Sequence, residues 1–278
     1  MTENIFSRLI LLICAFAFVF LNVDAKQSTK DSMKELIGHQ PFVIVCPPKC
    51  GTHLIGKTLS LILNKTPTYS LSKLGSTQES IESSESALKN GSFLVAHDFS
   101  KSVIERLVSK RYKIVFIARD PRDLVISVRN WLREGQWPWL EVSKIQDPQE
   151  QLTELITGAK TKWDCIERCF LKYEARVAGL SRKSLYTARF ENLVGADGGG
   201  GLDRQVKEIL GLAEFLEVTI TNDEAHNIAH QLFGGTATFR KGQVGVWKTL
   251  FTEEQKKKFK SRYKIHLIRL GFEKDTNW

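Results

Sequence analysis

The chain has 278 residues, of which 42% are hydrophobic and 10% aromatic, and it carries a formal net charge of +9. This length and composition exclude a repeat or low-complexity protein and are typical of a globular chain with one large core. The positive balance favours an anionic partner, such as a nucleotide, a sulfated glycan, a nucleic acid or a membrane surface, without choosing among them.

The first 25 residues have the pattern of a secretory signal peptide. Arg8 precedes an apolar run of 13 residues, Leu9–Leu21, and Val23 and Ala25 follow at the positions before a cleavage site. Such a run is too short for a comfortable membrane span. We predict a leader over residues 1–25 and a single domain over residues 26–278. An uncleaved anchor, and with it membrane contact, is the alternative. Either way we expect a secreted or lumenal protein, or a periplasmic one if the source is bacterial.

The stretch Pro41–Thr58, PFVIVCPPKCGTHLIGKT, predicts a strand, a tight turn and a helix in succession. Phe42–Cys46 is a short apolar run between prolines, and the apolar residues after Thr52 have helical spacing. A turn that opens onto a helix N-terminus can bind an anion, because its backbone N–H groups and the helix dipole both favour negative charge. Lys49 would add an ammonium group there. An ordinary strand–turn–helix with a surface lysine is the simpler alternative.

Two registers of this stretch compete. Gly51–Thr58, GTHLIGKT, matches the GxxxxGK[ST] loop of nucleoside-triphosphate enzymes. That loop normally begins where its strand ends, whereas here four residues intervene. The other register takes Pro48–Thr52, PKCGT, as the phosphate loop and places Gly56 and Lys57 inside the helix.

The rest of the chain alternates strand-like and helix-like runs, which favours an α/β fold with a parallel central sheet flanked by helices. Ligands of such sheets gather at the carboxyl ends of the strands. Lys49, His97 and Arg119 each follow a predicted strand closely. The further strands are predicted at Ser92–Ala96, Lys113–Ala118 and Ser184–Ala188, and the further helices at Ser100–Ser109, from Leu124 and over Leu152–Ala178.

Arg119 and Ser127 form a second candidate anion site. Arg119 closes the strand Lys113–Ala118, and Ser127 lies about two helical turns further on. A guanidinium group offers forked donors suited to a phosphate. The alternative is that Arg119 pairs with Asp120 or Asp123.

Three segments together resemble the sulfotransferase family, over roughly Pro41–Phe259. PKCGT resembles the 5′-phosphosulfate loop, VFIARDPRDLVISV the segment that holds the 3′-phosphate, and FRKGQVGVWKTLFT the RKGxxGxW segment that closes over the nucleotide. The resemblance implies a P-loop-like strand–loop–helix and 3′-phosphoadenosine 5′-phosphosulfate as co-substrate, with no metal. The residues implied to bind the nucleotide are Lys49, Cys50, Gly51, Thr52, His53, Arg119, Ser127, Arg240, Lys241 and Gly242.

The resemblance also implies a mechanism. A hydroxyl or amine of the acceptor attacks sulfur, His97 removes the acceptor proton, and Lys49 neutralises charge on the leaving oxygen. The expected acceptor is a small molecule, a glycan or another hydroxyl-bearing partner, and no nucleic acid is expected. A kinase that uses Gly51–Thr58, or a protein of this fold that binds nucleotide or anionic glycan without transfer, are the rival interpretations.

The sequence departs from the family pattern at residues that, in the family, bind the adenine, assist catalysis or form the dimer contact. The departures are Cys50 for serine, Leu54 for tryptophan, Val95 for lysine, Phe190 for tyrosine and Val246 for aspartate. The dimer motif is degraded over Lys248–Lys257, which favours a monomer. Cys46, Cys50, Cys165 and Cys169 are predicted to be free thiols, with a disulfide to a distant partner left open, and their spacing suggests no zinc site.

Overall fold

Five strands form one parallel sheet in the order β2-β3-β1-β4-β5. The computed structural model describes residues 42–65, 67–74, 93–235 and 242–278; within residues 67–74 and 93–99 it describes the backbone and only the Val95 side chain. Residues 40–278 form one compact unit. The predicted leader, residues 1–25, lies outside the described residues. The strands are β1 Phe42–Val45, β2 Pro67–Leu74, β3 Phe93–Phe99, β4 Lys113–Ala118 and β5 Leu185–Arg189.

Helices connect the strands and flank the sheet, so the predicted α/β class is confirmed. They are α1 Thr52–Leu63, α2 Lys101–Ser109, α3 Pro121–Arg133, α4 Pro148–Thr157, α5 Lys172–Val177, α6 Phe190–Leu193, α7 Leu202–Phe215, α8 Asn222–Leu232, α9 Trp247–Leu250 and α10 Glu253–Arg269. Short 3₁₀ turns span Glu141–Lys144 and Ala196–Gly198, and a π-helical turn spans Glu167–Leu171.

The central strands β1 and β4 are buried at every position, as the apolar runs predict. Their pairing is parallel and in register from Phe42 opposite Lys113 to Val45 opposite Phe116. The carboxyl ends of β1 and β4 therefore lie at the same edge of the sheet. This pairing places the turn that begins at Cys46 beside the residue that follows β4, Arg119.

Three sequence predictions need correction. The edge strand β2 was not predicted, and it pairs with β3 as far as Phe99, so β3 continues beyond Ala96 and His97 lies inside the strand. The single run predicted over Leu152–Ala178 divides into α4, an irregular segment, the π-helical turn and α5. The helix predicted from Leu124 begins at Pro121, because Asp120 caps it and a proline fits the first helical position.

The described part of the chain contains no helix long and apolar enough to cross a membrane. Its four cysteines are free and buried, as predicted. No group of three or more metal-ligating side chains occurs among the described residues.

Candidate active site

The segment from Cys46 to Gly51 makes the predicted turn between β1 and α1. The Cys50 N–H group donates to the Pro47 carbonyl at 3.2 Å, and Lys49 has a positive φ of 65°. Gly51 precedes α1 with a φ of 107°, and a Cβ atom there would lie 2.8 Å from Phe190 Cδ2. Glycine is therefore required for both the backbone conformation and the close approach. The turn delivers the N-terminus of a 12-residue helix to the carboxyl edge of the sheet.

The triphosphate-loop register, Gly51–Thr58, is excluded by the extent of α1. The helix begins at Thr52, so every residue of GTHLIGKT after Gly51 is helical and none is left to form a loop around a phosphate. Lys57 Nζ donates to the carbonyl of Gly234 at 3.1 Å, and Thr58 Oγ1 donates to the carbonyl of Leu54 at 2.9 Å. The PKCGT register is the one that leaves a loop before the helix.

Arg119 lies directly beside this turn. Its Nη1 donates to the Lys49 carbonyl at 3.0 Å, and its guanidinium carbon lies 4.2 Å from the centroid of the Phe190 ring. Its Nε is buried and has no hydrogen-bond partner among the described residues. The Asp120 carboxylate is taken by Arg122 rather than by Arg119. Arg119 thus keeps a donor that a ligand oxygen could satisfy.

A cavity of about 470 Å³ opens at this edge of the sheet. The predicted residues that line it are Lys49, Gly51, His53, Arg119, Ser127 and Gly242. They come from the phosphate loop, the β4–α3 segment and the segment before α9. The structure therefore brings together residues from all three sequence motifs.

Two predicted ligands do not turn their side chains toward this cavity. The Cys50 side chain is fully buried, and burial raises the pKa of its thiol. Thr52 is also buried, and its Oγ1 lies 3.0 Å from Cys46 Sγ. Burial raises the pKa of the Cys46 thiol to about 12. In both residues the backbone, not the side chain, is the part that could bind a phosphate.

Three predicted residues cannot be placed at the cavity. Arg240 and Lys241 lie outside the described residues. His97 is described only as backbone within β3. Their roles stay predictions.

The sequence reasoning missed several residues that line the cavity. Asp123, Ile126, Asn130, Arg133 and Glu134 recur at helical spacing around Ser127, so the period of α3 could have indicated them. Leu232, Phe233 and Gly234 follow α8 without any local motif. Leu54, Phe190 and Val246, identified earlier only as departures from the family, also line it.

Asp123 holds the segment between Gly242 and α9. Its carboxylate accepts from the N–H groups of Gly245 at 2.6 Å and Trp247 at 3.0 Å. Burial and the nearby Asp120 raise the pKa of Asp123, while the two backbone bonds and Arg119 oppose that shift. Asp123 thus fixes the segment that follows the predicted RKG motif against the first turn of α3.

Arg122 is enclosed behind the site. Its guanidinium pairs with Asp120 at 2.7 Å and with Glu273 at 2.6 Å. Its Cζ lies 3.9 Å from the centroid of the Trp247 ring and 4.5 Å from that of Trp278. Burial opposes the charge, but the two carboxylates outweigh it and raise the pKa of Arg122. This second arginine of RDPRD is therefore structural.

Glu191 contacts Asp120, the residue that caps α3. Its Oε1 accepts from the Asp120 N–H group at 2.7 Å, while its Oε2 is buried without a hydrogen-bond partner in the described part of the chain. Burial raises the pKa of Glu191 to about 7. The Asp120 backbone and Arg119 lower it, but not enough to offset the burial.

The chain is similar in sequence to known proteins. Residues 39–156 match the family described as sulfotransferase domain. The chain is 23% identical over 266 residues to Sulfotransferase 6B1 of Danio rerio, an alignment that covers 88% of this chain and 84% of the relative.

Two solved structures are similar in fold. Mouse sulfotransferase SULT7A1 complexed with PAP has a TM-score of 0.59 at 19% identity, covering 82% of this chain and 84% of that one. Retinol dehydratase in complex with androsterone and the inactive cofactor PAP has a TM-score of 0.55 at 17% identity, covering 82% and 80%. The chain is therefore similar to the sulfotransferase domain family over residues 39–156 and has the fold of these solved structures.

Proposed function

We propose that the protein is a sulfotransferase that uses 3′-phosphoadenosine 5′-phosphosulfate as its donor and a hydroxyl- or amine-bearing small molecule as its acceptor. The observation that carries the proposal is the convergence of Lys49, Arg119 and Ser127 on one cavity beside the N-terminus of α1. The cavity volume of about 470 Å³ lies in the range of small-molecule and cofactor sites. Leu54 and Phe233 give the same cavity apolar surface suited to a base.

The donors present fit a nucleotide with two separate phosphate groups. Lys49 and the backbone at the start of α1 would hold the 5′-phosphosulfate, since helix N-termini favour anions. Arg119 and Ser127 would hold the 3′-phosphate. The orphaned Arg119 Nε supports this assignment, because a buried donor without a partner costs about 1–3 kcal/mol that a phosphate oxygen would recover.

The residues would divide the chemistry as follows. The acceptor oxygen forms a bond to sulfur while the bond between sulfur and the bridging oxygen breaks. Lys49 neutralises the charge that develops on that leaving oxygen. His97 takes the acceptor proton, a task suited to a group that titrates near neutrality. The role of His97 is inferred from the sequence, as are those of Arg240 and Lys241.

Calorimetric titration with 3′-phosphoadenosine 5′-phosphate, with ATP as competitor, tests the nucleotide site. We expect a preference for the bisphosphate and a loss of roughly 10- to 100-fold in affinity in Lys49→Met or Arg119→Met, since hydrogen bonds to charged groups contribute about 1.5–3 kcal/mol. Lys101→Met is the matched control, because the Lys101 side chain is exposed and pairs with the exposed Glu105. Binding of ATP alone, or of neither nucleotide, would overturn the proposal.

Transfer itself is tested with radiolabelled phosphosulfate and a panel of phenols, steroids, amines and glycans. His97→Ala is expected to abolish transfer and to leave nucleotide affinity within about twofold, because a general base acts on the acceptor. Tight nucleotide binding without transfer to any acceptor would favour the non-catalytic alternative. Retinol dehydratase, which shares the fold, was solved with androsterone; this supports beginning the panel with small molecules.

We also propose that the protein enters the secretory pathway through residues 1–25 and is a monomer. The charge and hydropathy pattern of the leader supports the first point, and the degraded dimer motif the second. N-terminal sequencing of protein secreted by expressing cells should begin at Lys26. Retention of the full leader would indicate an anchor, and a dimer mass in light scattering would contradict the second point.

A further inference from the structure

Lys57 belongs to the Gly51–Thr58 stretch but takes no part in the phosphate loop. It lies in the second turn of α1, three residues after Leu54 and four after His53, so the three share one face of the helix. Leu54 and His53 line the cavity, whereas Lys57 does not. Lys57 therefore lies one helical turn beyond the part of α1 that lines the cavity.

The ammonium group of Lys57 connects α1 to the chain that follows α8. Its Nζ donates to the carbonyl of Gly234 at 3.1 Å, and this bond joins residues 177 positions apart. A Cβ atom added at Gly235 would lie 3.6 Å from the same Nζ. The bond is partly buried, and a hydrogen bond with a charged donor is stronger than one between neutral groups.

The segment that accepts this bond is one wall of the cavity. Helix α8 ends at Leu232, and Leu232, Phe233 and Gly234 all line the cavity. Phe233 is extended, and Gly234 and Gly235 follow it with positive φ values of 73° and 67°. Glycine has more conformational freedom than any other residue, so two in succession hold the path of this wall only weakly. A hydrogen bond from a helix of the core restricts that freedom.

A cation suits this position as well as a donor does. The C-terminal end of α8 carries a partial negative charge, because its last carbonyl groups have no partner within the helix. The Lys57 ammonium binds the chain two residues after that helix ends. Lys57 thus couples the wall to α1, the helix whose N-terminus is the proposed site of the 5′-phosphosulfate.

We propose that Lys57 is a positioning residue of the nucleotide cavity: its hydrogen bond to the Gly234 carbonyl holds the wall formed by residues 232–234 against α1. The inference rests on the proposed function, because the ligand that the wall would contact is the nucleotide.

Calorimetric titration with 3′-phosphoadenosine 5′-phosphate tests the effect on the site. Lys57→Met removes the donor and keeps most of the side-chain stem. It should lower affinity roughly three- to tenfold, because the wall would have to be ordered when the ligand binds. Lys57→Arg keeps a charged donor and should stay within about twofold of the wild type. Lys101→Met, an exposed lysine on α2, is the matched control and should leave affinity unchanged.

Hydrogen exchange of the ligand-free protein, followed by mass spectrometry, gives a readout that does not depend on the nucleotide. In Lys57→Met the peptide of residues 229–235 should exchange faster, because a segment that loses a contact opens more often. The buried strand β4 should exchange as in the wild type. Lys57→Arg should restore slow exchange in residues 229–235.

Unchanged affinity in Lys57→Met would overturn the proposal. Lower affinity with unchanged exchange would overturn it as well, because Lys57 would then act on the ligand or on α1 and not through the wall. Equal losses of affinity in Lys57→Met and Lys57→Arg would have the same consequence, since only the arginine keeps a donor. All three outcomes leave the proposed function intact, since they require that the wild-type protein binds the nucleotide.

Failure of the wild-type protein to bind the nucleotide would overturn the proposed function and the positioning role with it. Faster exchange in Lys57→Met would in that case still show that the contact with Gly234 holds this segment in place.

Discussion

Replacing Glu191 by glutamine is expected to remove a pH-dependent cost of folding. In the folded chain the pKa of Glu191 is raised from 4.5 to about 7, chiefly by burial. The folded state therefore holds a proton between these values that the unfolded state has released. Stability falls as the pH rises through this window and stays lower above it. At about 1.4 kcal/mol for each unit of pKa, the cost reaches roughly 3 kcal/mol above pH 7.

The physical cause is the buried Oε2, which has no hydrogen-bond partner among the described residues, while Oε1 accepts from Asp120. Glutamine keeps an acceptor for the Asp120 N–H group and places no charge at this buried position. The variant should therefore gain stability on the wild-type protein as the pH increases from 5 to 8.

Urea unfolding at pH 5, 6, 7 and 8 measures this difference in free energy. Asp123 and Glu208 also have pKa values raised by burial, but both are present in each protein and cancel in the comparison. Glu105→Gln is the matched control, because the Glu105 side chain is 59% exposed. A difference between Glu191→Gln and wild type that stays constant from pH 5 to 8 would refute the reasoning.

Two further substitutions test the parts that hold the site. Asp123→Asn should lower the free energy of unfolding by roughly 1–3 kcal/mol and weaken binding of 3′-phosphoadenosine 5′-phosphate. The two carboxylate oxygens accept from the N–H groups of Gly245 and Trp247, whereas asparagine has one acceptor oxygen, so one of these N–H groups would lose its acceptor. Urea unfolding and calorimetry measure both effects, and unchanged affinity would contradict the role of Asp123 in placing that segment. Gly51→Ala should lower the free energy of unfolding by roughly 1–3 kcal/mol, because the added Cβ would lie 2.8 Å from the Phe190 ring and the φ of 107° is unfavourable for alanine. A free energy of unfolding equal to that of the wild type in urea would show that the turn relaxes at little cost.

The sequence predicted the parts of the fold and site that are encoded locally. A short stretch of apolar and turn residues predicts the strand, turn and helix around Lys49. Another apolar run predicts the strand that ends before Arg119. Parallel pairing of β1 and β4 then brings Lys49 and Arg119 together. This is why two motifs 70 residues apart could be assigned to one site without a structure.

What the sequence could not give are the contacts between distant residues. Edge strand β2 carries a proline and polar residues and lacks the apolar run of a central strand. The burial of Thr52 against Cys46 and the contact of Lys49 with Trp131 depend on side-chain packing. No local period or motif encodes such pairs.

The enclosure of Arg122 has a consequence for the order of events during synthesis. Glu273, one of its two carboxylate partners, lies 151 residues further along the chain, and Trp278 lies beyond it. At about 5–20 residues per second, the ribosome needs roughly 8–30 s to supply that partner after Arg122 has been made. Until then the guanidinium of Arg122, which is 2% exposed in the folded chain, must stay hydrated. The back of the site can therefore close only after Glu273 has emerged from the ribosome.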